Sequence, residues 1–315
     1  MKIGYFLSCE ENGPADLLAQ ARAAEEAGFQ GLWISDHYHP WNDEQGESPF
    51  VWAVIGALAE ATSLPVTTAV TCPTIRIHPA VIAQAAATAA AMLPGGFNLG
   101  VGSGEALNEQ ILGDDWPEAD VRLERLEEAI EVMRELWTGE VVSRGGKHYR
   151  VRHARIYTLP ERPPPILVSG FGPKSVDLAA RVGDGYVTTA PDADAIERFR
   201  RGGGEGKLVQ AGAKVCYGRD EAEARRTAHR LWPNDGLPGE LAQVLPTPEH
   251  FEQAAELVTE EMIAQSVPCG PDLERHFESL QEYADAGVDE LYVQQIGGGQ
   301  EFFEAYAREV LPRFS

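Results

Sequence analysis

Eight short apolar segments, separated by amphipathic helices, constrain the fold more than any other feature of this sequence. They lie at residues 2–7, 31–35, 65–71, 97–103, 165–170, 185–189, 207–217 and 290–296. Mostly apolar strands that alternate with helices are typical of parallel βαβ units. Eight such units in 315 residues predict an α/β fold, a (β/α)8 TIM barrel, with a doubly wound open sheet as the alternative.

Two segments depart from the simple repeat. Residues 141–160 alternate in polarity as a hairpin does, and residues 232–270 have the composition of an inserted helical and loop segment. Neither segment is a low-complexity linker, so we expect residues 1–315 to form a single barrel domain.

The composition limits the partners and the compartment. The chain carries 49 Asp and Glu against 26 Lys and Arg, a formal net charge of −23, which disfavours nucleic acid and anionic membrane surfaces as partners. No apolar stretch has the length of a membrane span, and the N-terminus has no signal-peptide pattern. The four cysteines are far apart without CxxC spacing, which predicts reduced thiols in a cytoplasmic protein and no zinc site.

Ionisable and glycine-rich segments follow several of the predicted strands. They are SCEE at residues 8–11, SDHYHPW at 35–41, GVGSGEALNE at 100–109 and SGFGPKS at 169–175. In a barrel of parallel strands the carboxyl ends all meet at one rim, where functional groups gather. The sequence therefore predicts one site built from these four segments.

The two glycine-rich segments suggest anion contacts. Gly102 and Gly104 expose backbone amides before a helix that starts near Glu105, which suits a phosphate, although such glycines also serve simple turns. The segment is not the dinucleotide fingerprint, because Glu105 stands where glycine or alanine is needed. After Pro173, Lys174 and Ser175 fall in a first helical turn, either as a second anion contact or with the lysine solvated.

The histidine cluster at residues 35–41 has three interpretations: a metal site, an acid–base site over a flat cofactor, or a solvated loop. A metal site needs further ligands at other strand ends, and among the other histidines only His78 has a suitable place. We therefore expect no metal. Histidine exchanges protons near neutral pH, and Trp41 is suited to cover a bound ring, so we favour the acid–base site.

The combination of these segments resembles a known family. SDHYHPW and GVGSGEALNE, together with TAVTCPTIRIHPAVIAQAAAT, WPE and GDGY, resemble the luciferase-like flavin and deazaflavin oxidoreductases, in the branch of the coenzyme F(420)-dependent glucose-6-phosphate dehydrogenases. The similarity is close over residues 2 to about 190 and loose in the final barrel unit. It implies a (β/α)8 barrel, often a homodimer, that transfers a hydride between C5 of the deazaflavin and an alcohol or carbonyl substrate.

The resemblance also implies residue roles. His37 matches the residue that takes the hydroxyl proton, Trp41 helps to hold the site, Glu105 handles the proton at the cofactor ring, and Glu10 faces the same site. A non-proline cis peptide is expected at Ala69-Val70. The remaining positions that match cofactor contacts are Asp36, Cys72, Ser103, Gly104, Asn108, Phe171, Gly172, Lys174 and Ser175.

The sequence departs from the sugar-phosphate dehydrogenases at the substrate end. Asp192 stands nearest to one family lysine, and Gln253 stands loosely at another. Because an acid in place of a cation repels a phosphate dianion, we expect an uncharged alcohol, sugar or carbonyl substrate, with contacts at Thr189 and Gln253.

The cofactor pocket departs from the family as well. Cys72 and Phe171 replace a threonine and a glycine of the relatives. FMN therefore stays open as an alternative cofactor, and an FMN-dependent oxidoreductase or monooxygenase as the alternative function. A flavin-binding protein without chemistry is disfavoured, because the chain retains His37, Trp41 and Glu105 together.

Overall fold

The computed structural model describes residues 1–314, and its centre is a closed barrel of eight parallel strands. The ten strands within these residues are β1 (Lys2–Leu7), β2 (Leu32–Ile34), β3 (Val66–Thr68), β4 (Phe97–Val101), β5 (Val142–Gly145), β6 (Arg150–Ala154), β7 (Ile166–Ser169), β8 (Gly185–Thr188), β9 (Leu208–Val215) and β10 (Glu290–Gln295). The barrel order is β1-β2-β3-β4-β7-β8-β9-β10, with β10 pairing back to β1 in parallel register, Lys2 opposite Glu290. The TIM barrel predicted from the sequence is confirmed, and the open sheet is excluded.

Helices surround the barrel and follow the predicted alternation. They are α1 (Pro14–Ala27), α2 (Val51–Leu58), α3 (Pro79–Met92), α4 (Ala106–Glu109), α5 (Ala119–Leu136), α6 (Pro173–Val182), α7 (Ala193–Phe199), α8 (Glu221–Leu231), α9 (Leu241–Val244), α10 (Pro248–Ala255), α11 (Glu260–Ser266), α12 (Leu273–Asp285) and α13 (Gln300–Glu309). Short 3₁₀ turns lie at Gln110–Leu112, Pro233–Gly236 and Leu311–Phe314, and a π-helical turn at Arg200–Gly204. None of the helices within residues 1–314 has the length and apolar character of a membrane span.

Local sequence fixes where these helices begin. Pro14, Pro79 and Pro173 occupy first helical positions, where the missing amide hydrogen costs nothing. Side chains cap several others, as Asp220 does when it accepts from the backbone amide of Glu223, and Thr247 from that of His250. The helix boundaries thus follow from short-range chemistry that the sequence displays.

The two irregular segments lie where the sequence placed them. The hairpin pairs β5 with β6 in antiparallel register, with a bulge between Val142 and Arg144. Residues 155–160, which complete this segment, have no regular structure. The insertion at residues 232–270 contains one 3₁₀ turn and the helices α9, α10 and α11. Because the barrel closes only when the first strand pairs with the last, we infer that these segments belong to one domain.

Two stacked aromatic rings fill the inside of the barrel. Trp33 and Tyr292 lie with ring centroids 4.8 Å apart and nearly parallel, and Trp33 Nε1 donates to Gln210 Oε1 at 2.8 Å. The rings fit because glycines face them: a Cβ at Gly212 would lie 2.6 Å from Trp33 Cζ3, and one at Gly4 would overlap Tyr292. The strands therefore approach closely enough to close the barrel only where glycine replaces a side chain.

Replacing Gly212 by alanine should push against the Trp33 ring and lower the free energy of unfolding by about 1–3 kcal/mol. Urea unfolding followed by tryptophan fluorescence and far-UV circular dichroism measures this change. Gly145→Ala is the matched control, since a Cβ there meets open space, and its effect should stay within about 0.5 kcal/mol. Equal stabilities of the two variants would contradict the proposed close fit.

Candidate active site

A narrow cleft lies at the carboxyl ends of the barrel strands. Eight residues of the sequence prediction line it, namely Asp36, Val70, Cys72, Ser103, Gly104, Glu105, Phe171 and Ser175. The structure thus brings the segments after β2, β3, β4 and β7 together at one rim.

His37 and Glu10 face each other beside this cleft. Glu10 is buried, and its Oε2 accepts hydrogen bonds from Ser8 Oγ at 2.8 Å and Ser35 Oγ at 2.7 Å. Its other oxygen, Oε1, lies 3.5 Å from His37 Nε2. Two hydroxyl donors fix the carboxylate, so its remaining oxygen is held toward the imidazole.

The hydrogen bonds of the His37 ring allow two tautomers. Its Nδ1 lies 3.1 Å from the carbonyl oxygen of His39 and 3.1 Å from Asn108 Nδ2. When Nδ1 carries the proton and donates to His39 O, Nε2 has a free lone pair and can accept a proton. A positive charge formed on the ring is then stabilised by the Glu10 carboxylate, which gives His37 the arrangement of a general base.

Trp41 covers one side of this histidine. The two ring centroids are 4.9 Å apart, and the indole packs edge to face on Phe251 of α10 at 5.0 Å. The Trp41 backbone amide donates to Gln45 Oε1, and Gln45 in turn donates to the carbonyl of Leu231. The insertion at residues 232–270 thus helps to position Trp41, a contact that the sequence did not reveal.

Asn108 joins the histidine loop to the loop after β4. It is buried, and its Oδ1 accepts from the backbone amides of Tyr38 and His39 at 2.9 and 3.2 Å. Its Nδ2 faces His37 Nδ1 at 3.1 Å and Glu105 Oε2 at 3.4 Å. The predicted acid and the predicted base therefore lie on either side of one amide side chain.

An ion cluster that the sequence analysis missed lies behind the cleft. Arg76 donates to Asp36 Oδ1 at 2.7 Å, its backbone amide donates to Glu109 Oε2 at 2.8 Å, and Thr71 donates to Asp36 Oδ2. Both Asp36 and Glu109 are buried and line the cleft. Asp36, predicted as a cofactor contact, is thus also one half of a buried ion pair.

Glu109 is the titrating member of this cluster. Burial raises its pKa to about 7, although Arg76 opposes the shift and Glu105 and Asp36 add to it. Its Oε1 is buried without a hydrogen-bond partner. Glu109 is the last residue of the predicted site segment GVGSGEALNE. Nothing in the sequence indicates that this residue is buried beside an arginine.

The amides after β4 begin a helix of only four residues, α4, with Glu105 at its N-cap. One turn sums few peptide dipoles, so the anion site expected there receives little support from a helix dipole. The longer helix α6 begins at the cleft, where Gly172 N donates to Ser175 Oγ at 3.2 Å. The better anion-binding amides therefore lie at the segment after β7.

The predicted lysine of this segment already has a partner. Lys174 Nζ lies 2.7 Å from Asp120 Oδ1, and both side chains are exposed. The Asp120 carboxylate thus compensates the positive charge of Lys174, which is unfavourable in the first turn of α6. Phe171 is exposed at the mouth of the cleft, where its ring can cover a flat ligand.

The floor of the cleft has the expected cis peptide at Ala69-Val70. Beside it, Cys72 is buried, which raises the pKa of its thiol, and its Sγ lies 3.0 Å from Thr74 Oγ1. A Cβ at Gly104 would lie 2.6 Å from Cys72 Sγ, and one at Gly102 2.7 Å from Val70 Cγ2. These glycines let the loop after β4 pack directly against the side chains of the cleft floor.

The expected substrate contacts lie less centrally. Thr189 is exposed directly after β8, and its carbonyl oxygen accepts from Tyr283 Oη at 3.2 Å. Gln253 is exposed on α10 and donates to Glu249, and its role stays a prediction. Asp192 caps α7 by accepting from the amide of Ala195. No group of three potential metal-binding side chains occurs among residues 1–314.

Comparison with known proteins identifies the family. Residues 1–290 match the model of the family described as luciferase-like monooxygenase. The chain belongs to this luciferase-like family. The resemblance read from SDHYHPW and GVGSGEALNE is thereby confirmed.

Relatives within the family carry more specific names. The chain is 36% identical to an F(420)-dependent glucose-6-phosphate dehydrogenase of Segniliparus rotundus and 37% identical to one of Microbacterium testaceum, over 99% of this chain and 98% and 97% of theirs. A solved F(420)-dependent secondary alcohol dehydrogenase, in complex with an F(420)-acetone adduct, superposes with a TM-score of 0.92 at 31% identity, covering 100% of this chain and 99% of that one.

More distant structures share the fold alone. A coenzyme F(420)-dependent tetrahydromethanopterin reductase from Methanopyrus kandleri has a TM-score of 0.81 at 20% identity, with 100% of both chains covered. The eight-stranded barrel is therefore common to proteins of different specificity. Specificity depends on the side chains at the rim of the barrel.

The raised pKa of Glu109 predicts a pH-dependent stability. Because its folded pKa of about 7 exceeds the unfolded value near 4.5, the folded state binds more protons, and stability falls as pH rises between these values. Over this range the wild type should lose about 1–3 kcal/mol relative to Glu109→Gln. Urea unfolding from pH 4.5 to 7.5 measures it, with the exposed Glu161→Gln as control. Parallel pH curves for wild type and Glu109→Gln would disprove the assignment.

Proposed function

We propose that this protein is a coenzyme F(420)-dependent oxidoreductase that interconverts an uncharged alcohol and the corresponding carbonyl compound. The observation that carries the proposal is the buried Glu10 carboxylate held 3.5 Å from Nε2 of His37, at the rim of a cleft that the cofactor residues line. A base stabilised by a fixed carboxylate is what removal of a hydroxyl proton requires.

The chain's own residues provide the proton transfers. His37 Nε2 accepts the proton of the substrate hydroxyl while Nδ1 donates to the carbonyl of His39, and Glu10 stabilises the imidazolium. Trp41, packed on Phe251, holds the imidazole and excludes water from one side. Glu105, on the opposite side of Asn108, exchanges the second proton with the cofactor ring.

The cleft is the proposed site of the flat cofactor ring. Gly102 and Gly104 let the loop after β4 pack closely on its floor, Val70 supplies an apolar surface, and Phe171 lies at the mouth. The proposed polar contacts of the cofactor are Asp36, Cys72, Ser103 and Ser175, which line the cleft, together with Asn108, Gly172 and Lys174. When bound, coenzyme F(420) supplies the hydride acceptor at C5 of its deazaflavin.

The charges at the site favour an uncharged substrate. The residues that line the cleft include Asp36, Glu105 and Glu109 but no lysine or arginine, and Asp192 lies exposed near Thr189. The similarity to a secondary alcohol dehydrogenase supports the same substrate class. A sugar phosphate is the second candidate, because the most similar relatives named above are glucose-6-phosphate dehydrogenases.

The proposal extends to a cytoplasmic homodimer. The four cysteines are free and buried, as in proteins of reducing compartments. The homodimer rests on the family resemblance.

A parallel titration with oxidised F(420) and FMN tests the cofactor. Submicromolar binding of F(420) and at least about a hundredfold weaker binding of FMN are expected, a difference of about 2.7 kcal/mol. Cofactor fluorescence measures both, and reduction of F(420) by 2-propanol and by glucose 6-phosphate is then compared. Preferential FMN binding with oxygen uptake would replace the proposal by the monooxygenase alternative.

Replacing His37 by alanine should remove the general base and lower kcat by about 10²–10⁴-fold, with F(420) affinity little changed. Absorbance of F(420) during alcohol oxidation gives kcat, and fluorescence titration gives the affinity. His250→Ala removes an exposed histidine bonded to Thr247 and should leave both values as in the wild type. Retained turnover in His37→Ala would exclude this base.

A further inference from the structure

We propose that Asp235 neutralises Lys214, an inward-facing lysine at the mouth of the barrel, and that this ion pair excludes phosphorylated and other anionic substrates from the site. The inference rests on the proposed function, since it names the physical reason why the substrate is uncharged. Both residues lie outside the sets that the sequence analysis selected.

Lys214 faces the inside of the barrel at its catalytic end. Side chains alternate along a strand, so Lys214 of β9 points to the same side as Gln210 and Gly212, which both contact Trp33 in the barrel interior. Lys214 lies two residues beyond Gly212 and next to the last residue of β9. The ammonium group therefore lies on the rim that carries the site.

Asp235 is positioned to cancel this charge. Lys214 Nζ lies 2.8 Å from Asp235 Oδ1 and 4.0 Å from the centroid of the Trp232 ring. The side chains of Lys214 and Asp235 are 23% and 22% exposed, so a ligand can approach the pair. The 3₁₀ turn Pro233–Gly236, part of the insertion, brings the carboxylate to this point.

The pair is connected to the proposed general base. Trp232, which packs against the Lys214 ammonium, donates from Nε1 to Glu11 Oε1 at 2.5 Å. Glu11 also accepts from Gln294, the residue opposite Lys214 in the register of β9 and β10. Glu11 follows Glu10, the carboxylate that faces His37. The ion pair is thus linked to His37 through Trp232, Glu11 and Glu10.

The same carboxylate acts on a residue that contacts the Thr189 segment. Burial, followed by the charges of Glu282 and Asp235, raises the pKa of Tyr283, so Asp235 lies within electrostatic range of that hydroxyl. Tyr283 donates to the carbonyl oxygen of Thr189.

The consequence is a charge filter. Lys214 alone would attract a phosphate or carboxylate group on a substrate, since unit charges in a partly dry site interact strongly. Paired with Asp235 it presents no net charge, and an anion that displaced the carboxylate would leave Asp235 without its cation. An uncharged alcohol can bind without displacing the carboxylate, so Asp235 keeps its ion pair.

The test measures phosphate binding to the F(420)-loaded protein at constant ionic strength. Isothermal titration calorimetry gives the affinity for inorganic phosphate, and inhibition of 2-propanol oxidation by phosphate gives a second value. Asp235→Asn keeps the shape and a hydrogen-bond acceptor while removing the negative charge. It should bind phosphate about tenfold more tightly than the wild type, in competition with the alcohol, and the double variant Asp235→Asn with Lys214→Met should lose this gain.

A matched control separates this effect from a general change in charge. Asp177→Asn breaks an exposed ion pair with Arg198 on the outer helices and should leave phosphate affinity unchanged. If Asp235→Asn does not fold, Asp235→Ser is measured instead, because serine is also uncharged. Equal phosphate affinity in wild type and Asp235→Asn, or a gain that persists in the double variant, would overturn the inference. Absent alcohol oxidation in the wild type refutes the proposed function instead, while the calorimetric comparison still decides this inference.

Discussion

Closure of the barrel, through the pairing of β1 with β10, is the constraint on which the rest of this structure depends. It places segments from opposite ends of the chain side by side, so that Glu11 after β1 meets Gln294 of β10. Closure in turn requires the stacked rings of Trp33 and Tyr292 to fit inside, which only glycine on the facing strands allows. The catalytic rim is therefore a consequence of how the interior packs.

The rim holds an unusual concentration of carboxylates for a site that is partly buried. Three of them are held by specific donors: hydroxyl groups for Glu10, an arginine and a threonine for Asp36, and an indole, an amide side chain and a backbone amide for Glu11. Such donors stabilise buried charge without supplying mobile cations. The result is a site whose acids can orient a base and exchange protons, and its acidic character is the basis of the proposed preference for uncharged substrates.

The strands and most helices could be predicted because apolar periodicity and capping residues are local signals. The site residues His37, Trp41 and Glu105 could be placed at one rim, since parallel strands share a carboxyl end. Arg76 and Glu109 were missed because nothing local shows that their charges pair in the interior. Prediction fails at such positions because burial and pairing are properties of the folded chain.

The sequence by itself determined the alternation of strand and helix, the family, and the chemical groups available at each strand end. Only the tertiary structure decided which of those groups meet. It set the approach of Glu10 to His37 and the pairing of Lys214 with Asp235, partners 27 and 21 residues apart in sequence. The physical reason is that electrostatic and hydrogen-bond energies depend on distance and burial, and both are fixed by barrel closure and by the insertion packed on the rim.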